Sequence, residues 1–275
     1  MREHVDYLAR EMTRLSAASR RAAWRDRRRT GLEPQTNASF DFQWQHLPTG
    51  AALPSDARFM RELERELPLM IGVPRPWFAG KRIVDVGCGI GRYTCGLLQL
   101  GAVVTACDQS DAALRRTAEL CRDLRDRLAL KRIDLLEWDE VAAFDLAFSY
   151  GVVHHTGNTY LAIENVCRKV AVGGRVFFMI YAVPDSHEAL AEINLYERLA
   201  DETRNMTFDA RKEYVTRRFG PEKAHGWFDA ISPRLNDRLT FEEIHDVLTE
   251  LGFGEIRGSR VLRNHHIIAQ RLRAA

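Results

Sequence analysis

Apolar residues along this 275-residue chain change their spacing twice, and each change marks a boundary. Val5, Leu8, Met12 and Leu15 recur at steps of three and four, which predicts an amphipathic helix over residues 3 to about 24 with one face in need of a partner. Residues 30–57 are rich in Gly, Pro, Asn and Ser, yet Phe40, Phe42 and Trp44 make them too apolar for a free linker, so docking onto the rest of the chain is expected. A second helix at about 56–70 completes an N-terminal cap. From Lys81 the pattern becomes short apolar runs separated by helical segments: Arg82–Val86, Val103–Cys107, Leu128–Ile133, Phe144–Ser149 and Arg175–Tyr181. That alternation predicts a parallel sheet with helices at about 91–100, 111–126 and 158–170, the last stopped by the Gly173–Gly174 pair.

The spacing changes again near residue 184. Residues 184–236 are polar and mainly helical, with Leu190, Ile193, Leu195 and Leu199 on the helical period and Pro221 and Pro233 interrupting it. They read as an insertion over a substrate pocket. Thr240 and Glu243 have the spacing of a capping box, in which hydroxyl and carboxylate satisfy orphan N–H groups reciprocally, so a helix starts there and ends near Gly252. Two strands at about 254–262 and 265–272 are too close in sequence for anything but an antiparallel hairpin at the sheet edge.

Composition narrows the function classes. Hydrophobic residues make up 45% of the chain, enough for a buried core, and no run approaches the roughly 18 apolar residues of a transmembrane helix. Charges stand where a signal peptide has its apolar stretch, so the expected location is the cytoplasm, with no membrane partner. Cys88, Cys95, Cys107, Cys121 and Cys167 are odd in number, lack C-x-x-C spacing and sit mostly among apolar neighbours, the pattern of core packing. The net charge is only +2, although the first 30 residues hold nine arginines against four acids. Arg20, Arg21, Arg25, Arg27, Arg28 and Arg29 have the chemistry to touch phosphates or an acidic substrate. Five lysines against 35 arginines is a chain-wide skew, however, so this face reads as solvated and nucleic acid is not expected as a partner. His187, His225, His245, His265 and His266 form no metal set, since His265 and His266 alternate across a strand, and no metal is expected.

The chemistry concentrates at the end of the first strand. Val84–Gly91 is an apolar strand running into a glycine turn, Gly87, Gly89 and Gly91, that opens a helix and lets a ligand approach the backbone. A dinucleotide fingerprint requires glycine at position 92, where this chain has Arg92. Asp85, two residues before the loop, would repel a pyrophosphate but can support the cationic amino group of a methionine moiety. Asp108, at the end of the second strand with Gln109 beside it, can accept both ribose hydroxyls. Asp134 follows the third strand and can accept from an adenine amine, with Leu135 offering an N–H and an apolar edge. Acids at three successive strand ends therefore favour S-adenosylmethionine over a nicotinamide cofactor.

Residues 81–181 resemble the class I S-adenosylmethionine-dependent methyltransferases, especially the ubiquinone-biosynthesis-like group. The family's D-x-G-C-G-x-G-R loop is matched by Asp85–Arg92, its G-V-L-H-H-T segment by Gly151–Thr156, and its L-K-P-G-G-R approach to strand five by Val170–Arg175, with Val172 in place of proline. Ser39–Trp44 is similar to an S-F-G-Y-x-W element found before the core in some members. The resemblance implies an α/β fold: a Rossmann-like seven-stranded sheet of order 3-2-1-4-5-7-6 with strand 7 antiparallel. The expected divisions are a helical cap over 1–75, a cofactor-binding core over 76–183, a helical insertion over 184–236, and a helix and hairpin over 237–275. Cofactor contacts are expected from Asp85, Gly87, Cys88, Gly89, Gly91, Asp108, Gln109, Asp134, Leu135, Ser149 and Tyr150.

Methyl transfer needs mainly alignment in a dry pocket, and a general base only if the acceptor must lose a proton. His154 and His155, just past strand four, and Tyr181, at the end of strand five, are the candidates, against the alternative that they anchor a loop and fill core. Trp44, Phe42 and Gln43 are candidates to close over the substrate, or else staple the cap to the core. The expected function is methylation of a small-molecule acceptor, in secondary metabolism, by a monomer or homodimer. A tRNA or rRNA methyltransferase is the nearest alternative, weakened because Ser149–Val152 stands where D/N-P-P-Y/F is usual. A non-catalytic cofactor-binding partner protein is the other.

Overall fold

A computed structural model describes residues 30–47, 57–140 and 143–273, together with Ser19 and Ala22. The helix expected over 3–24 and the arginine cluster at 20–29 lie outside the described residues. The central sheet runs β3-β2-β1-β4-β5-β7-β6. Strands β1 (Arg82–Val86), β2 (Val103–Asp108), β3 (Leu128–Arg132), β4 (Phe144–Tyr150) and β5 (Val170–Tyr181) are parallel. Strand β7 (Asn264–Arg271) runs antiparallel to β5 and pairs with β6 (Phe253–Val261) as a hairpin. The order and the reversed strand agree with the expected sheet.

Alternation along the strands splits the core between the two faces. On one face Ile83, Leu146, Phe148 and Phe177 pack under helices α2 (Ala57–Ile71) and α3 (Arg92–Gln99). On the other, Val84, Val86, Ala147 and Phe178 pack under α5 (Thr159–Arg168) and α9 (Phe241–Glu250). Helix α4 (Asp111–Leu120) connects β2 to β3 and is shorter than expected, because the chain turns at Cys121 into a 3-10 segment, Arg122–Arg127. The box at Thr240 is present in full, with Thr240 Oγ1 accepting from Glu243 N and Thr240 N donating to Glu243 Oε2.

Two departures have clear causes. The Gly173–Gly174 pair does not stop a helix: α5 ends at Arg168, and the glycines lie inside β5, where the register with β4 jumps from Phe144↔Val170 to Leu146↔Arg175. A side chain at Gly174 would meet Phe144 O and Ala171 O at 2.9 Å, so the irregularity itself requires a residue without Cβ. Residues 33–46, expected only to dock, form helix α1 (Glu33–His46). Its buried positions Glu33, Thr36, Ser39 and Gln43 are polar, so the helix carries no hydrophobic periodicity to detect.

Helices α6 (His187–Glu202), α7 (Phe208–Phe219) and α8 (Ala224–Ile231) occupy the insertion and enclose their own cluster of Leu199, Val215, Phe228 and Ile231, joined by Phe42 and Leu47 from the cap. Buried Arg211 ties this unit together, donating to Ser232 Oγ, Ser232 O and Thr203 O. No helix among the described residues is long and apolar enough to cross a membrane.

Candidate active site

A cavity of about 350 Å³ opens at the carboxyl ends of the parallel strands, roofed by α1 and α8. This is where open α/β sheets bind ligands, since the loops there diverge while the strands stay fixed. Strand β1 feeds the glycine loop into it. Gly87 has φ +71°, and a Cβ there would lie 2.3 Å from Val152 Cγ2, so both conformation and close approach demand glycine. At Gly89 (φ +55°) the ring of Trp44 sits 3.0 Å from where a Cβ would be. The loop amides are already engaged: Gly87 N and Cys88 N donate to Cys107 O, and Gly89 N donates to Asp108 Oδ2 at 3.0 Å. None of these three points an idle N–H at an incoming diphosphate, in contrast to an anion-binding nest.

Asp108 lines the cavity and also accepts from Ser110 N, and burial raises its pKa despite these donors. Asp134 lines it too, with Oδ1 accepting from Leu136 N. The cap is pinned to the same end, since Gln109 Nε2 donates to Asn37 Oδ1 (2.5 Å) and Ser110 Oγ to Asp41 Oδ1 (2.6 Å). Of the residues expected at the site, Trp44, Gly87, Cys88, Gly89, Asp108, Gln109, Asp134, Leu135, Tyr150, His155 and Tyr181 line this one cavity.

Asp85, Gly91, Ser149, His154, Phe42 and Gln43 do not. Asp85 is 2% exposed, accepts from Thr94 Oγ1 at 2.5 Å, and is pushed up to about pKa 7, mainly by burial. It ties β1 to α3 through Thr94 and does not ring the cavity with the other two acids. Gly91 packs against Thr117, and Ser149 is fully buried. Phe42 turns into the insertion, its ring 5.5 Å from Phe208 and 5.6 Å from Phe228. Gln43 is buried, with Nε2 donating to Asp229 Oδ1 (3.2 Å) and lying 3.0 Å from His225 Nε2.

The two histidines differ. His154 is wholly buried, its ring centroid 3.9 Å from that of Tyr181, and burial holds its pKa well below the usual imidazole value. His155 faces the cavity, and its Nδ1 is 2.7 Å from Leu235 O. A carbonyl only accepts, so Nδ1 carries the hydrogen and Nε2 keeps a lone pair. Burial lowers the pKa of His155 and nearby Asp229 opposes the shift. The hydroxyl of Tyr181 lies 3.5 Å from Asp229 Oδ2.

Several lining residues carry no sequence signal. Asn37 shares one face of α1 with Phe40 and with the expected Trp44, a spacing that becomes legible only once residues 33–46 are known to be helical. His225 and Asp229, four apart on α8, belong to no motif. Among the described residues, no group of three or more His, Cys, Asp or Glu is arranged to hold a metal ion.

Comparison with known proteins fits this geometry. Residues 84–176 match the family model described as a methyltransferase domain. A ubiquinone biosynthesis O-methyltransferase of Alkalilimnicola ehrlichii is 33% identical over 102 residues, 36% of this chain and 41% of the relative. An S-adenosyl-L-methionine-dependent Diels-Alderase, iccD, of Talaromyces variabilis is 28% identical over 152 residues, 54% of this chain and 50% of the relative. The chain thus spans between about two-fifths and a half of these relatives' lengths. Among solved structures, the 1,6-didemethyltoxoflavin-N1-methyltransferase of Burkholderia thailandensis superposes with a TM-score of 0.53 at 18% identity, over 83% of this chain and 85% of the other. The magnesium protoporphyrin IX methyltransferase of Synechocystis PCC 6803 gives 0.52 at 14%, over 77% and 83%. Residues 84–176 are thus similar to a methyltransferase domain, and the seven-stranded sheet has the fold of the methyltransferase structures it superposes on.

Proposed function

We propose that the chain is an S-adenosylmethionine-dependent methyltransferase acting on a small-molecule acceptor in a biosynthetic reaction. The observation that carries this reading is the half-buried carboxylate of Asp108 at the tip of β2, lining a cavity beside a glycine loop whose Gly87, Cys88 and Gly89 amides are already engaged. A carboxylate with spare lone pairs suits ribose hydroxyls, and a loop whose first three amides are engaged within the protein suits an amino-acid tail better than a diphosphate. Asp134 and Leu135 supply a carboxylate and an apolar edge for adenine, and Arg92, at the start of α3, a cation for a carboxylate tail. When bound, S-adenosylmethionine supplies a methyl group on a positively charged sulfur, activated for in-line displacement. The protein's part is to align, to exclude water through α1 and α8, and to receive the acceptor's proton on His155 Nε2 where the acceptor is protonated.

Titration calorimetry tests the reading. S-adenosylhomocysteine should bind and NADH should not, and Asp108→Asn should weaken S-adenosylhomocysteine by roughly ten- to a hundredfold, the worth of charge-assisted bonds to two hydroxyls. Binding of NADH in its place would overturn the cofactor assignment. The match to a Diels-Alderase, longer than that to the O-methyltransferase, favours one second reading, in which the cofactor is held but its methyl is not transferred. Formation of S-adenosylhomocysteine across an acceptor panel supports transfer; binding with no such product supports the second reading.

A further inference from the structure

The charges around the cavity do not balance. Its lining carboxyl groups are those of Glu33, Asp108, Asp134 and Asp229, against the single guanidinium of Arg92. Asp108 and Asp134 stand at the ends of β2 and β3, the adenosine end, and the Arg92 guanidinium lies over Tyr93 and Tyr150 next to the glycine loop. Asp229 stands elsewhere. It projects from α8, accepts from Gln43, and approaches the hydroxyl of Tyr181 at the tip of β5. Strands β2 and β5 are three places apart in the sheet, so at about 4.8 Å per strand the tip of β5, whose Tyr181 hydroxyl approaches Asp229, lies roughly 14 Å from the strand of Asp108. That separation puts Asp229 at the acceptor end.

No lysine or arginine among the described residues forms an ion pair with Asp229. Its neighbours are His225, whose Nε2 faces Gln43, and His155, both held by burial below the usual imidazole pKa; Arg238 lies over the Tyr181 ring at 5.2 Å but makes no ion pair with Asp229. Water can solvate the half-buried carboxylate while the cavity is open. A ligand seated over it strips that water, at a cost of several kcal/mol for an uncompensated charge, unless the ligand brings its own donor and positive charge. Phe40, beside His155, and Tyr181 stand near this end, and Trp44 reaches from Gly89 towards His225; these rings suit a flat apolar body, and the Trp44 ring also favours a nearby cation, that of Tyr181 being met by Arg238.

We propose that the acceptor is an aromatic molecule carrying a protonated amine, and that Asp229 receives this ammonium group as the specificity-determining contact. The proposal rests on the reading of the cavity as a joint cofactor and acceptor site. It assigns recognition, not the atom methylated.

The test uses protein loaded with S-adenosylhomocysteine and two ring-matched probe sets observed by saturation-transfer NMR: tyramine, tyrosol and 3-(4-hydroxyphenyl)propionate, then tryptamine, tryptophol and indole-3-propionate. The amines should bind about tenfold tighter than the acids, with the alcohols between, and Asp229→Asn should erase the preference. Equal binding of amine and acid, preference for the acid through Arg92, absence of amine binding, or a preference that survives Asp229→Asn overturns it. The preference in the unaltered protein is decisive on its own should the variant fold poorly. Failure of S-adenosylhomocysteine itself to bind rejects the cofactor reading, which distinguishes the two. A parallel loss of S-adenosylhomocysteine affinity in Asp229→Asn would place this carboxylate at the cofactor's amino group and overturn the acceptor assignment.

Discussion

Asp85 and Gly87 show how two residues of one motif serve different ends. Asp85, buried and bonded to Thr94, has its pKa raised from 3.8 to about 7, chiefly by burial. The folded state therefore holds a proton that the unfolded state has already released between these values, so stability falls as pH rises from about 4 to about 7, by at most ~1.4 kcal/mol per unit. Asp85→Asn cannot titrate, and the stability of the variant relative to the parent, measured by urea unfolding at a series of pH values, should climb across that window. A flat difference would show that Asp85 is not held protonated. At Gly87 the constraint is steric, with Val152 Cγ2 at 2.3 Å from a Cβ and φ at +71°. Gly87→Ala should abolish S-adenosylhomocysteine binding in calorimetry and cost ~2 kcal/mol or more of stability; adding Val152→Ala should recover only part, since it relieves the contact and leaves the backbone strain.

At the scale of elements, helix α1 is the informative case. Thr36 is 1% exposed and its Oγ1 accepts from Leu235 N and Arg234 N, each at 3.2 Å, so a polar stripe docks the cap onto the insertion by hydrogen bonds. Thr36→Val keeps the shape and strands the Leu235 N–H, because Arg234 N has Gln35 Oε1 as a second partner. It should cost about 1–3 kcal/mol in chemical denaturation, whereas Gln35→Ala, at a half-buried position where water can replace the lost bonds, should cost under about 1. The strands and the helices on the sheet were legible because their burial is apolar and periodic, and the Thr240 box because capping is a local reciprocal bond. Helix α1 was not legible, since its buried face reads as polar. The Gly173–Gly174 pair misled for a related reason: a glycine pair signals a departure from regular backbone, and only pairing with β4 decides which departure.

For the molecule as a whole, the cavity is assembled from parts distant in sequence: the strand tips supply Asp108, Asp134 and Tyr181, α1 supplies Trp44 and Phe40, and α8 supplies His225 and Asp229. The cap and insertion share one apolar cluster through Phe42, Phe228 and Leu199, so a ligand gripped by one is felt by the other. Binding of S-adenosylhomocysteine should slow amide hydrogen exchange in α1 and α8 more than in α2, which packs on the opposite side of the glycine loop's helix and contributes nothing to the cavity. Equal protection in α2, or none in α1, would contradict the roof described for the site. At a ligand concentration a hundred times the Kd, the unfolding free energy should rise by about 2.7 kcal/mol.

Local chemistry in the chain determined the sheet, the glycine turn and the acids at its strand ends, because strands announce themselves by apolar runs and a left-handed turn by glycine. It also singled out His155 and Tyr181 by their place after strands four and five. Tertiary structure alone decided that Asp85 is buried against Thr94 while Asp108 and Asp134 line the cavity, that His154 is sealed behind Tyr181, and that Gln43 serves Asp229. Those outcomes depend on which way a side chain points once distant segments pack, and no spacing along a single strand or helix encodes the direction of a neighbour that arrives from 180 residues away.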